Sequence, residues 1–431
     1  MSTSTEKYLQ HKVKYPCITV EPVVLVFFIS YSMIVTLRAE YITLRIADGL
    51  DGTKGSRSAV LGPDDTLCRH LSNQSQEALY AETQSRASYW LLLLNLFQVV
   101  PSLVSAPLIG SWSDLGGRKR ALVIPIIGYL MGSIVWIIVT YTDGKLWYLL
   151  LAEFCLGLTG DFSAVLAVCN AYLADITTER ERTFRLILVG ITIEVGTGAS
   201  QILVGYWVVQ QGFGVPFWFV VATMLASLVY ITVLLKETRG KSGGLENLEL
   251  FNNRLLDDIY GMFMRYSSKQ RRQMMFFMIV LGVHMTILYT AFLLILLYVL
   301  SPPLCWTPIT VGYYVASALL LGSAAGICGS FRFLVSPAVR SRLSKLVDEE
   351  EQGAMFSLAS SIESIGHLIG PLIFNLMYGI TTGIYQGFTF LVMASFYVPI
   401  CFMTGYYQLT SYWISKHKTV STSDGERMAT P

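Results

Sequence analysis

Long apolar runs separated by short charged segments dominate the pattern of this chain. They cover about residues 20–37, 88–112, 121–140, 146–172, 186–209, 215–235, 274–300, 309–339, 354–378 and 385–407. A helix rises 1.5 Å per residue, so a run of about 20 residues crosses a hydrocarbon core of about 30 Å. The pattern therefore predicts ten membrane-spanning helices and an all-α polytopic protein. Residues 1–14 are polar and the first run is longer than a signal-peptide apolar region, which predicts a retained amino terminus.

Composition agrees: 53% of the 431 residues are apolar and 14% charged, with a mean hydropathy of +0.53. Soluble domains carry about 25% charged residues, so an ordinary soluble protein is excluded. The net charge of +2 gives no ground for a nucleic-acid partner. The distribution of charge says more. Segments next to Lys7, Arg118, Arg180, Arg265, Arg340 and Lys416 hold 23 of the 31 Lys and Arg, and alternate loops place them all on one face. By the positive-inside rule that face, with both termini, is cytoplasmic.

The expected organisation is a cytoplasmic amino terminus (1–19), a six-helix bundle (20–235) with an outside loop at 43–87, a cytoplasmic linker (236–273), a four-span bundle (274–409) and a polar cytoplasmic tail (410–431). The outside loop carries Cys68 and the only glycosylation triplet, at Asn73. Of seven cysteines, Cys68 and Cys305 alone face an oxidising compartment in this topology, which predicts a disulfide between them; the alternative is two free thiols. Trp90, Trp112, Trp147, Trp207, Trp218 and Trp413 lie near span ends and read as interfacial anchors.

The loop between the second and third spans runs Gly110-Ser-Trp-Ser-Asp114-Leu-Gly-Gly117-Arg118-Lys119-Arg120, which matches the G-x-x-x-D-x-x-G-R-R signature of major facilitator transporters. A tight glycine turn with an acid and cations at two helix ends suits a latch, with glycine supplying backbone freedom and cations complementing helix carboxyl ends. Other matches are Glu21-Pro22, Gly160-Asp161-Phe162, Ala174-Asp175 followed by Arg182-Thr183-Phe184-Arg185, Pro303 to Trp306, Ser336-Pro337 with Arg340, and Glu351-Gln352-Gly353. On these motifs the chain resembles solute carrier family 46, most closely its proton-coupled folate transporter branch, over about residues 20–408. Between about Ala318 and Phe331 the family has two further helices that this chain lacks, giving ten spans (6+4) in place of twelve. Residues 309–339 read better as one crossing loosened by glycines than as two short helices.

The resemblance implies a secondary active symporter of small organic anions such as folates, with protons as the coupling ion, no cofactor, and residence in the plasma or an endolysosomal membrane. The missing helices leave an alternative: a truncated, non-transporting member that regulates or fails to replace a full-length relative.

Burying an ionised group in a bilayer costs at least a few kcal/mol, so such residues are functional candidates. Those within the spans include Arg38, Glu153, Asp161, Glu194, His284, Arg332, Glu363 and His367. The family's fifth-span glutamate aligns with Gly190 here. Glu194, one turn further on the same face, is expected either to replace it in proton coupling or to make a packing hydrogen bond. His284 aligns with the family's coupling histidine and Arg340 with an arginine that attracts substrate carboxylates; a packing His and a snorkelling Arg are the bland alternatives. Asp161, Asp114, Gly117, Arg118, Asp175, Arg182 and Arg185 are expected to form a structural network. Glu153 stands where the family tends to carry an arginine, a sign reversal that counts against folate itself, a dianion; Arg38 is a candidate to restore the balance. Glu363 and His367, four residues apart, share a helix face and are expected to pair. No P-loop, H-E-x-x-H or serine nucleophile elbow occurs, so neither ATP-driven transport nor a common membrane hydrolase is indicated, and an enzyme is not expected.

Overall fold

The computed structural model describes residues 19–51, 74–238, 264–300, 306–327, 331–381 and 387–400, with single positions 261, 385 and 402. Cys68, Cys305 and Asn73, and with them the expected disulfide and glycan, lie outside the described residues, as does Trp413. Cys155 and Cys169 are free thiols.

All regular structure among the described residues is helical, which is the arrangement that lets a chain in lipid satisfy its backbone polar groups internally. The helices are α1 (Glu21–Asp51), α2 (Gln74–Gly116), α3 (Arg118–Thr142), α4 (Trp147–Leu158), α5 (Asp161–Ile176), α6 (Glu179–Gln211), α7 (Gly214–Val229), α8 (Ser268–Leu300), α9 (Pro308–Ile327), α10 (Phe331–Ser344), α11 (Gln352–Thr381) and α12 (Phe388–Ile400). Eight stretches are long and apolar enough to cross a membrane, α4 and α5 counting as one; Ile309–Leu319 and Phe388–Ile400 are shorter apolar helices. The first helix runs well past the apolar stretch that announced it, to Asp51.

Two apolar cores form. One gathers Phe27, Leu37, Leu122, Tyr129, Trp136 and Phe217 from α1 to α7, with Trp136 stacked on Phe217 at 5.5 Å. The other gathers Met274, Leu281, Leu343, Met355 and Ala359 from α8, α10 and α11. Where the halves meet, small residues let the backbones approach, as membrane helices require in the absence of a hydrophobic drive. Ala167, Ala171 and Ala174 of α5 pack on Phe356 of α11, and Gly110 of α2 lies against Ser357 and the Gly353 carbonyl.

Helices α9 and α10 follow α6 antiparallel along a single path. Gly312 backs onto the Gln201 carbonyl, Ala316 onto Gly198 and Pro337 onto Gly190. The path ends where Ser341 meets Thr183 at 2.6 Å and Ser344 accepts from Arg182 at 2.7 Å. Together, among the described residues, they lie along one path beside α6.

The span Trp147–Ile176 is broken in the middle. Gly160 has φ +89° and Asp161 φ +52°, so two successive residues lie in the left-handed region and the helix stops at Leu158 and restarts at Asp161. Glycine accepts this freely; an aspartate there costs on the order of 1–2 kcal/mol. Ser105 Oγ donates at 2.7 Å to the Gly157 carbonyl, which also accepts the Gly160 N–H at 3.0 Å.

Trp112 departs from the anchor reading: it is 4% exposed and packs on Gly116 inside the bundle. Trp147 and Trp218 are exposed, as belt residues should be.

The closest backbone approach yields a test. A Cβ at Gly157 would lie 2.2 Å from the Gln98 carbonyl oxygen, whereas one at Gly132 would meet only the end of Leu156 at 3.3 Å. Gly157→Ala is expected to cost about 1–3 kcal/mol and Gly132→Ala under about 1 kcal/mol, read as thermal unfolding in detergent.

Candidate functional site

A chain of buried polar side chains threads the first bundle. The Arg38 guanidinium, on α1, donates through Nη1 to Gln98 Oε1 at 2.7 Å and to Glu153 Oε2 at 3.1 Å, and through Nη2 to Asn95 Oδ1 at 3.1 Å. Arg38 and Glu153 are 5% and 1% exposed. Trp136 Nε1 donates to the other Glu153 oxygen at 3.1 Å. Gln98 then turns its amide nitrogen to Asp161 Oδ1 at 2.9 Å, and the Tyr129 hydroxyl donates to the same oxygen. Asp161 Oδ2 is buried and has no hydrogen-bond partner among the described residues. The left-handed turn at Gly160 and Asp161 aims this carboxylate into the bundle. Strained backbone that is held by several partners at once is a mark of a functional position.

The second bundle answers with Arg340, on α10, whose Nη2 donates to Glu363 Oε2 at 2.6 Å and Ser360 Oγ at 3.2 Å. Ser336 also donates to Glu363, at 3.4 Å. The Arg340 Nη1 is buried without a hydrogen-bond partner among the described residues. The expected Glu363–His367 pair is therefore replaced: a guanidinium from a neighbouring helix outcompetes an imidazole one turn away because it brings a permanent charge and a short charge-assisted bond.

His367 instead lies in a column of rings that joins the bundles. Its imidazole is 5.4 Å from the Phe162 ring at 22° and 4.3 Å from the Tyr289 ring at 26°. Tyr31 lies 5.2 Å beyond Phe162. Phe162 and Tyr31 belong to the first bundle, His367 and Tyr289 to the second. Next to this column the Ser163 and Ser364 hydroxyls hydrogen-bond across the same boundary.

The glycine-rich motif forms a latch on the basic face. Gly117 turns the chain at φ +103° between α2 and α3. Arg118, fully buried, reaches Asp114 at 2.6 Å, Asp175 at 2.9 Å and Ser113 at 2.6 Å. Asp114 crosses to the second bundle, where its two oxygens accept the Gly353 and Ala354 N–H groups at 3.0 Å each. Carboxylates at helix amino ends and cations at carboxyl ends both fasten this face: Glu237 accepts the Arg118 and Lys119 N–H groups at the start of α3, and Lys119 Nζ donates to the Thr232 carbonyl at 2.6 Å, just after α7. Arg182 bridges the Ala174 carbonyl and Ser344, and Arg185 pairs with Glu21 at 3.0 Å. Just before α8, Tyr266 donates to Glu351 at 2.6 Å and accepts the Asp348 N–H. Burial first, and then the bond to Glu351, push its phenol up and keep the proton on the donor.

The three residues expected to handle proton and substrate sit on three different helices, Arg340 on α10, Glu194 on α6 and His284 on α8. Arg340 lies at the boundary between bundles. Glu194 is half-buried on the face of α6 whose neighbours Gly190 and Gly198 touch α10 and α9. His284 is buried in the second bundle, its ring 5.9 Å from that of Tyr397 on α12 and its Nδ1 3.4 Å from the Tyr397 hydroxyl. Arg332 keeps its place in α10; its side chain lies outside the described residues. Sequence reasoning missed Tyr31, Gln98, Tyr129, Trp136 and Tyr289. A signal existed for Gln98, because Asn95, Gln98, Ser102 and Ser105 form a polar stripe at helical spacing in an apolar run. It also missed Glu40, whose Oε2 is buried without a partner among the described residues, since α1 outlasts its apolar run. No group of three or more His, Cys, Asp or Glu side chains suited to a metal occurs among the described residues.

Comparisons with known proteins converge. Residues 82–336 match the family model described as Major Facilitator Superfamily. The chain is 29% identical to the proton-coupled folate transporter of Rattus norvegicus over 420 positions, covering 87% of this chain and 88% of the relative. It is 27% identical to the lysosomal proton-coupled steroid conjugate and bile acid symporter of Gallus gallus over 426 positions, covering 87% and 90%. In structure it is similar to the human organic anion transporter MFSD10 (TM-score 0.59, 15% identity, 88% and 96% covered) and to the Escherichia coli fucose:proton symporter (TM-score 0.53, 11% identity, 86% and 96% covered). At these identities the two structures show a shared fold. The alignment with the rat transporter draws on 87% of 431 residues, about 375, so about 45 of its 420 positions have no counterpart here.

The Arg38–Glu153 pair makes a prediction about stability. Arg38→Met leaves a buried carboxylate unpaired and is expected to cost about 3–5 kcal/mol. The double change Arg38→Met with Glu153→Gln removes both charges and is expected to recover more than half of that loss, measured as thermal stability of the detergent-solubilised protein.

Proposed function

The chain belongs to the Major Facilitator Superfamily, and from that membership we propose that it is a secondary active transporter, a proton-coupled symporter of small organic anions such as folates. Transporters of this build bind substrate near the midplane between two bundles, and carry it by rocking one bundle against the other. The observation that carries the proposal is the buried polar chain from Arg38 to Asp161 ending at the Phe162–His367 contact, which brings titratable groups to the boundary where the bundles meet. Similarity to two relatives named as proton-coupled, over most of the chain, supports the same reading.

In this proposal Arg340 is the fixed cation for the substrate. Both guanidiniums are paired within their bundles, Arg38 with Glu153 and Arg340 with Glu363, but only Arg340 keeps a buried nitrogen, Nη1, without a hydrogen-bond partner among the described residues, free to bind a substrate carboxylate or sulfate oxygen. Glu194, on the face of α6 turned to the other bundle, keeps the role of protonatable carboxylate. His284, enclosed with Tyr397, is a packing residue. The Asp114 latch closes the basic face, which the charge bias puts in the cytoplasm together with both termini, with Asn73 outside. The membrane is plasma or endolysosomal.

A second reading has its own observation. The roughly 45 unmatched positions, and the single path of α9 and α10 along α6, fit a shortened chain that does not transport and instead regulates or fails to replace a full-length relative. Uptake separates the two. Cells expressing the chain are expected to take up labelled folic acid, or failing that a steroid sulfate or conjugated bile acid, severalfold faster at pH 5.5 than at pH 7.4, normalised to surface protein, with Glu194→Gln removing the acid stimulation. No uptake of any of the three at normal surface level would favour the second reading.

A further inference from the structure

We propose that His367 is a second proton-binding group beside Glu194, the one that couples pH to the contact between the two bundles. This rests on the transporter reading for its purpose, though not for its test.

His367 is the one histidine among the described residues that touches both bundles. Its ring is held against Phe162 of α5 on one face and against Tyr289 of α8 on the other. The groups around it are identifiable on every element that packs there. On its own helix Glu363 is one turn away, and is bound by Arg340 of α10. On α5 Asp161 directly precedes Phe162, and its Oδ2 is buried without a hydrogen-bond partner among the described residues. On α8 Tyr289 lies within electrostatic range of Arg38 and Asp161, and on α1 Tyr31 packs on Phe162.

As a neutral ring, imidazole fits flat between two aromatic faces with no ionic partner. When it takes a proton, the imidazolium is a charge clamped between two rings at a half-buried position, and its neighbouring carboxylate, Glu363, is already committed. Burying that charge is costly unless water or a counter-charge reaches it. Parting Phe162 from His367 admits water to the ring, and the same motion separates the bundles. Proton occupancy and bundle contact are thereby linked: acid favours the parted state, and closing the stack returns the proton. Both ring nitrogens are equivalent for this purpose, since the added proton resides on whichever lacks one.

The contact is readable without any substrate. Tyr206 of α6 and Tyr313 of α9 meet at the end of the bundle boundary away from the latch, their hydroxyl oxygens 2.5 Å apart, and both are exposed. A Tyr206→Cys, Tyr313→Cys pair in the full chain, with each single cysteine variant as control for the native thiols, reports bundle contact in isolated membranes as the yield of a short bifunctional thiol cross-linker, which spans the gap left by the two rings. Thiol reactivity itself falls with acid, so each yield is taken relative to the same pair carrying His367→Phe, which keeps the stack but loses the proton site, at the same pH. The expected relative yield is near one at pH 7.4 and at most about half at pH 5.5, since acid favours the parted state; adding His367→Gln should return it to near one, and adding His284→Gln should leave it unchanged. A relative yield near one at both pH values, or one that rises at pH 5.5, overturns the assignment. Because cross-linking needs no transport, a failure of folate uptake leaves this result interpretable by itself.

Discussion

A charge inside a membrane protein must carry its counter-charge with it, and here the pairing of buried charges dictates which helices can move. Arg38 holds Glu153, and Arg340 holds Glu363, each within one bundle. Breaking such a pair by removing one partner costs about 3–5 kcal/mol, so each ties its helices into a unit. Arg118 does the same at the basic face, drawing Asp114 and Asp175 to one guanidinium and so pinning the turn at Gly117 between α2 and α3.

Contacts between the bundles are of another kind. Ser163 with Ser364, Thr183 with Ser341, Tyr206 with Tyr313 and Phe162 with His367 are hydroxyl bonds and ring contacts between neutral groups. A neutral hydrogen bond contributes only about 0.5–1.5 kcal/mol net, and water replaces it when the surfaces part. Charge-assisted bonds across the boundary gather at the basic face, where Asp114 meets the start of α11 and Arg182 meets Ser344. Strong bonds within bundles and weak ones between them make two rigid bodies that separate at modest cost, with a firmer latch at one end. Rocking transport needs that division of strength.

In the second bundle, α9 and α10 take this arrangement along α6. Glycines at 190, 198 and 312 leave room for α9 and α10 to lie directly on α6, with backbone and Cβ atoms in contact where larger side chains would hold the helices apart. The result keeps Arg340 at the boundary and sends the chain on to α11 in the orientation that presents Gly353 to Asp114.

Much of this was legible along the chain, for a physical reason. A lipid environment enforces one long apolar run per crossing and a charge bias between loops, so the helical class, the membrane location and the latch motif follow from local pattern alone. The site was only partly legible. Asp161 and Arg340 were picked out because an ionisable group in an apolar run stands out whatever its surroundings. Their partners did not, since Gln98, Tyr129 and Ser360 are ordinary residues until another helix brings a charge to them. Only the tertiary structure decided that Glu363 binds Arg340 and leaves His367 between two rings, that His284 faces α12, and that Trp112 is buried. Those outcomes depend on which helix face meets which, and helix periodicity within one segment contains no information about its neighbours.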